Sequence, residues 1–300
     1  GTGKTSLPMA FARAMGGDYA KVEVQAGWRD RQDLIGYYNA FHRHFYATDF
    51  LQALYKAGTP YHLDRVFMIV LDEINLSRTE QFFADFLSEL ELPKLSERQI
   101  KLVVDPVDAP PKLMREGKHL PIPPNVWFVG TANHDESTTE FADKTYDRAH
   151  VMDMPRKPVD AQSLPKQLTQ RGPISFASLQ ETFEGARAKH EDKAKNATKW
   201  LEEAGFVGTL TKLRIGWGNR LERQIEQYLP VVVESGGKMG EAMDHLVATK
   251  ILRKLKDRHD VFPTDLEKLR EQILTSWGDI DPEGFPDRCD ALIDAEIRAK

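Results

Sequence analysis

Two stretches of the chain are unbroken apolar runs. In "RVFMIVLDEINL" every residue from Val66 to Leu71 is apolar and Asp72 and Glu73 follow at once; "NVWFVGTAN" ends in the same abrupt way on polar residues. Runs of this kind predict strands covered on both faces, as in a parallel sheet with helices on either side. "YAKVEVQ" predicts a further short strand. Between these stretches the period becomes helical. Leu7, Phe11 and Met15 are spaced as the buried stripe of a helix that Gly16-Gly17 ends. Phe50, Leu51 and Leu54 form the apolar face of "TDFLQALYKAG", with Gly58 as its stop. Phe82, Phe83, Phe86, Leu87 and Leu90 line "SRTEQFFADFLSELE", for which Ser77 and Glu80 predict a capping box. "RQIKLVVD" and "KHLPIP" bracket a proline-bearing loop and predict a hairpin.

Strands alternating with helices predict an α/β fold with an open parallel sheet, whose ligands bind at the carboxyl ends of the strands. Pro155, Pro158, Pro165 and Pro173 mark a change of regime, and from about residue 174 the pattern is helical. Leu221, Ile225, Tyr228 and Leu229 line one such helix; Met243, Leu246, Val247, Ile251 and Leu255 line another. The expected organisation is an α/β domain over 1–158, then a smaller all-helical domain with a C-terminal helical extension over 159–300.

Composition adds mainly exclusions. The chain has 300 residues, 41% of them hydrophobic, enough for two modest cores. A net charge of −5 provides no global field for nucleic acid or anionic membrane. The one cysteine, Cys289, rules out an internal disulfide and a thiolate-rich metal site, and fits a reducing cytoplasm. The densest apolar run is far too short to span a bilayer. No histidine spacing matches a zinc site, so none is expected. The basic cluster "KILRKLKDR" (Lys250 to Arg258) reads as the solvated face of an amphipathic helix.

The candidate chemistry lies at the strand ends. The opening "GTGKTS" matches the latter part of the phosphate-loop pattern G-x-x-x-x-G-K-[ST], whose first glycine would precede Gly1. The chain therefore reads as a fragment of a longer protein that also lacks the strand leading into the loop, with nucleotide binding and folding impaired in the fragment. In such a loop the backbone of Gly1, Thr2, Gly3 and Ser6 cradles phosphates at a helix N-terminus. Lys4 reaches the β- and γ-phosphates and the Thr5 hydroxyl binds Mg²⁺. Asp72, closing a buried strand, is placed to hold the Mg²⁺ shell, and Glu73 to polarise a water for in-line attack. Asn133 can orient that water without competing for metal; Thr131 is a weaker candidate. Arg148, in "DKTYDRAHVM", can be delivered to a neighbouring subunit's γ-phosphate, with Lys144 in support. Arg220 and Arg223, in "NRLERQIEQYL", can each reach a phosphate from the second domain.

With these residues in view, the chain resembles the AAA+ ATPases, most of all the McrB-like and dynein-related branch, with MoxR-type proteins next. The resemblance rests on "GTGKT", "WRDRQDLIGYYN", "VLDEINLSRTEQFFADFLSELE", "VWFVGTAN" and "DKTYDRAHVM". It covers most of residues 1–155, and more loosely the helical part to about 258. It implies a P-loop NTPase sheet followed by a helical lid, Lys4 and Thr5 in Walker A, Asp72 and Glu73 in Walker B, and Asn133 as sensor 1. It further implies Arg148 as arginine finger and Arg220 or Arg223 as sensor 2. Relatives assemble as rings, usually hexamers, with nucleotide at each subunit boundary. The segment from Leu92 to Pro123 resembles the hairpin-bearing insertion of this branch.

Ala132 stands where GTP-using relatives carry Met, which favours ATP over GTP, with Mg²⁺, as the cofactor. The implied activity is a cytoplasmic ring-forming NTPase, foremost the motor of a McrBC-like DNA restriction system that reaches DNA through a separate nuclease subunit. A MoxR-like chaperone and a nucleotide-gated scaffold that scarcely hydrolyses are the alternatives.

Overall fold

The computed structural model describes residues 3–133, 138–154 and 172–300. The chain forms two compact units, Gly1–Leu179 and Gln180–Lys300.

In the first unit the strands are β1 (Asp18–Glu23), β2 (Gly36–Asn39), β3 (His44–Ala47), β4 (Phe67–Asp72), β5 (Gln99–Lys101), β6 (His119–Pro121) and β7 (Val126–Gly130). Strands β1, β4 and β7 make a parallel sheet in the order β1-β4-β7. Glu23 lies opposite Asp72, and Leu71 opposite Gly130, so the carboxyl ends of all three strands finish level. β4 lies between the other two, which is why its apolar run needs no polar alternation.

One face of the sheet (Val22, Phe67, Ile69, Leu71, Val126) packs under Phe50, Phe83 and Phe86, to which Phe128 adds its ring. The layer over this face is built by α2 (Arg31–Ile35), which contributes Leu34 and Ile35, α3 (Asp49–Ala57), which carries Phe50, α4 (Thr79–Phe82), which adds Phe82, and α5 (Ala84–Glu89), which carries Phe86, with Phe83 between the last two. Thr48 caps α3, its hydroxyl accepting the Leu51 N–H, and Gly58 ends the helix as its sequence predicts. The other face (Met68, Val70) meets α1 (Ser6–Ala14) through Ala12.

That packing overturns the expected stripe of α1. Leu7 and Phe11 are exposed, and the buried residues are Pro8 and Ala12. The backbone is close at the turn into β1, where a Cβ on Gly17 would stand 2.1 Å from the Val66 carbonyl oxygen. Phe11 instead lays its ring along Trp127 at 6.0 Å.

The expected capping box is also absent. The Ser77 hydroxyl donates to the Trp28 carbonyl, and the segment after β4 becomes a 3₁₀ turn (Ile74–Leu76) and then α4 and α5, separated at Phe83. The β5–β6 hairpin forms as expected, with Ile100 paired to Leu120 and both buried. The β2–β3 hairpin was not anticipated. Its open end is the pair Gly36–Ala47, where a φ of +92° and close approach to the Tyr46 carbonyl require glycine. Helix α6 (Asp143–Arg148) completes the described part of this unit before α7 (Phe176–Lys189) begins.

Among its described residues the second unit contains no strand. Helices α8 (Glu191–Glu203), α9 (Val207–Lys212), α10 (Asn219–Glu234), α11 (Met239–Leu246), α12 (Pro263–Trp277) and α13 (Asp287–Arg298) enclose Leu201, Phe206, Ile225, Met243, Leu269 and Ile293. The expected stripes hold, Tyr228 being the one member that is only half-buried. After α11 the backbone widens into a π turn (Val247–Ile251) and then tightens into a 3₁₀ turn (Leu252–Leu255). This corrects the reading of the basic cluster as one solvated face, because the change of helical pitch turns Lys250 inward, where it is buried. No helix among the described residues is long and apolar enough to cross a membrane.

Candidate functional site

The site is built where β4 and β7 end and α1 begins. Thr5 stands at the N-cap position of α1, yet its hydroxyl makes no cap. It donates instead to Asp72 Oδ1 at 2.7 Å, and Thr131 Oγ1 donates to the same oxygen at 2.6 Å. The other carboxylate oxygen, Oδ2, lies 2.9 Å from Lys21 Nζ on the neighbouring strand. Burial pushes the Asp72 carboxyl up, but the hydrogen bonds from Thr131, Thr5 and Lys21 outweigh it and hold the group below the usual carboxylate range. Asp72 is thus an ionised oxygen donor at low exposure.

Lys4 crosses to the end of the β7 segment. Its Nζ donates to the Ala132 carbonyl at 2.6 Å and to Asn133 Oδ1 at 2.5 Å. Asn133 is itself fixed, since its carbonyl accepts from Asn75 Nδ2 at 2.7 Å and from Thr138 Oγ1 at 3.0 Å. Asn75 is buried, and its Oδ1 has no hydrogen-bond partner among the described residues.

Glu73 adopts φ 52° and ψ 45°, left-handed backbone that costs a non-glycine residue roughly 1–2 kcal/mol. Thr131 holds it there from both sides: its hydroxyl accepts the Glu73 N–H at 3.0 Å and its carbonyl the Ile74 N–H at 2.8 Å. The turn leaves the Glu73 side chain exposed beside the buried end of β4. Backbone strain maintained by neighbouring hydrogen bonds is the kind found at functional sites.

The structure therefore brings Lys4, Thr5, Asp72 and Asn133 into one cluster, with Glu73 on its rim. Gly3 is left-handed with φ +81°, and its carbonyl accepts the Leu7 N–H at 2.9 Å, starting α1; Ser6 is the first residue of that helix. Gly1 and Thr2 lie outside the described residues. Arg148, the last residue of α6, is not part of the cluster. It pairs through Nε with Glu91 Oε1 at 2.9 Å. Lys144 on the same helix is exposed. Arg220 and Arg223 lie in the first turns of α10 in the second unit, and both are exposed.

Two members of the site escaped local reading, and a third was underweighted. Thr131 was legible only as a weak candidate, and here it is the hub. Asn75 and Lys21 carry no signal that a single stretch could disclose, since each acts across strands. Their one sequence-level cue is position: Asn75 follows the Asp-Glu pair, and Lys21 alternates onto the same strand face as Glu23.

For a metal, the donors are the Thr5 hydroxyl and the Asp72 carboxylate, both hard oxygens. Among the described residues no group of three or more His, Cys, Asp or Glu side chains could hold an ion alone. One hydroxyl and one carboxylate fit Mg²⁺, which keeps most of its shell as water and phosphate oxygen. No family model, curated protein or solved structure matches the chain.

Proposed function

We propose that the chain is the core of an AAA+-type nucleoside triphosphatase that hydrolyses ATP with Mg²⁺ and works as a ring, foremost a hexamer. The observation that carries this reading is the convergence of Lys4, Thr5, Asp72 and Asn133. They stand as far as 129 positions apart in sequence, yet they meet at the carboxyl ends of parallel strands, where α/β folds bind ligands.

In this reading the Ala132 carbonyl and Asn133 Oδ1 stand in for phosphate oxygens on the Lys4 ammonium. Phosphate binding transfers Lys4 to the nucleotide and releases the Asn133 amide to orient the attacking water. Glu73, exposed on its strained turn, accepts the proton of that water. Thr5 and Asp72 would hold Mg²⁺, which when bound neutralises charge on the β- and γ-oxygens. Arg148 exchanges Glu91 for the γ-phosphate of an adjacent subunit, a contribution worth about 10³–10⁵ in rate. By the same resemblance Arg220 or Arg223 is the candidate for sensor 2. The "LDEIN" and "LSELE" motifs support the McrB-like branch and hence a DNA-directed motor with a separate nuclease subunit.

The test is steady-state hydrolysis of ATP and GTP by the full-length protein across a range of protein concentrations. Specific activity should rise with concentration and collapse in Arg148→Ala. Negligible turnover despite tight Mg²⁺-dependent binding would replace the enzyme by a nucleotide-gated scaffold.

A further inference from the structure

Lys21 plays no part in the reading above, yet it lies on the one carboxylate that reading assigns to metal. Residues paired across parallel strands point to the same face. Glu23 is paired with Asp72 and Lys21 with Val70, so Lys21, Glu23 and Asp72 share one face of the sheet at its carboxyl edge. The Lys21 ammonium lies 2.9 Å from Asp72 Oδ2 and 3.0 Å from Glu23 Oε1. Asp72 Oδ1 already accepts two hydroxyls, from Thr5 and Thr131, which leaves Oδ2 as the oxygen free for an incoming cation. Lys21 occupies it.

We propose that Lys21 is a tethered counter-ion of Asp72 that a divalent cation displaces, and that Glu23 receives the displaced ammonium. The inference rests on the nucleotide-site reading and adds to it a residue that sets metal affinity. Without metal, Lys21 offsets the negative charge that Asp72 and Glu23 would otherwise bring together on adjacent strands. A divalent ion attracts a carboxylate oxygen about twice as strongly as a monovalent one at equal distance, and it repels the ammonium. Glu23 is the natural acceptor: its side chain is 78% exposed against 15% for Asp72, so the ammonium moves toward water as it leaves.

The competing account is a fixed bridge that only relieves repulsion between Glu23 and Asp72. The two accounts differ in additivity. Under exchange, removing Lys21 removes a competitor and tightens metal binding, whereas removing Glu23 strands the ammonium on Asp72 and weakens it. A fixed bridge acts only through space and gives the same two signs, but there each charge acts on the cation independently, so Glu23→Gln weakens binding equally with or without Lys21. Under exchange Glu23 acts through Lys21, and its effect vanishes once Lys21 is gone.

The experiment is direct titration of Mn²⁺, as a paramagnetic substitute for Mg²⁺, followed by electron paramagnetic resonance. It uses the full-length protein with a non-hydrolysable ATP analogue, as wild type, Lys21→Met, Glu23→Gln and the double variant, in which exchange predicts that Glu23→Gln no longer weakens binding. Thermal melts establish that each variant is folded, and Glu23, at the surface, is a mild site for substitution. The expected result is Mn²⁺ bound roughly two- to fivefold more tightly by Lys21→Met and weaker by a similar factor in Glu23→Gln, the scale of a partly exposed ion pair. Additive shifts in the double variant, or no shifts at all, with wild-type Mn²⁺ binding intact would make Lys21 a fixed bridge and overturn the inference while leaving the nucleotide site standing. Failure of wild type to bind Mn²⁺ with nucleotide would overturn both.

Discussion

Thr131→Val tests how the site is held together. The substitution keeps the shape of the side chain and replaces the hydroxyl with a methyl group at a buried position. Two hydrogen bonds go with it: the donation to Asp72 Oδ1 at 2.6 Å and the acceptance from the Glu73 N–H at 3.0 Å. A hydrogen bond to an ionised group contributes about 1.5–3 kcal/mol, and an orphaned buried N–H costs about 1–3 kcal/mol. Because Asp72 keeps some exposure and Thr5 still donates to it, a loss in the lower half of the combined range is expected, about 2.5–4 kcal/mol at pH 7.

The pH dependence has a definite sign. Asp72 is depressed in the folded state, so its ionisation adds stability that is fully present above the unfolded carboxyl range, near ~4, and is lost as pH falls through the lower folded value. Removing the Thr131 hydroxyl raises the folded value toward the unfolded one. The gap between wild type and variant should therefore shrink on acidification. Urea unfolding at about pH 7 and about pH 3 measures both quantities, and Thr131→Ser, which keeps the hydroxyl, should restore most of the loss. A variant within about 0.5 kcal/mol of wild type at pH 7, or a gap that widens in acid, would refute the hub role of Thr131.

Two further outcomes follow from buried groups. The Asn125 amide donates to the carbonyls of His62 and Arg65, both at 2.9 Å, and of Ala57 at 3.2 Å, tying the approach to β4 onto the start of β7. Asn125→Ala should cost about 2–4 kcal/mol in urea unfolding, and Asn125→Asp, whose carboxylate cannot donate, should do no better; a loss below about 0.5 kcal/mol would contradict the tie. In the second unit, burial and then the nearby Asp244 push the Cys289 thiol well above the ordinary range. Its backbone N–H donates to Asp244 Oδ1 at 2.9 Å, which anchors the start of α13. Native protein should leave Cys289 unmodified by a thiol-disulfide reagent until it unfolds, and rapid stoichiometric labelling of folded protein would show the burial to be wrong.

Much of the molecule was legible in local pattern. The continuous run ending in Asp72-Glu73 announced a central parallel strand, because a strand covered on both faces has no polar alternation to keep. The stripes of α3 and α10 were legible for the complementary reason, that one apolar face must recur every turn. The identity of Lys4, Thr5, Asp72, Glu73 and Asn133 as a set came from the phosphate-loop pattern and from residue types at strand ends. Tertiary structure decided the rest. The face by which α1 packs was decided by the sheet it meets: Ala12 packs against Met68 and Val70 of β4, while Leu7 and Phe11 stay exposed. Ser77 abandoned its cap because the Trp28 carbonyl, 49 positions away in sequence, came within reach of its hydroxyl. The hub role of Thr131 and the pairing of Lys21 with Asp72 depend on the register of β1 and β7 against β4. Sequence pattern specifies which residues lie on a face, since that follows from the period of one strand or helix. Which of them touch is a property of two elements at once, and it exists only after the sheet has formed.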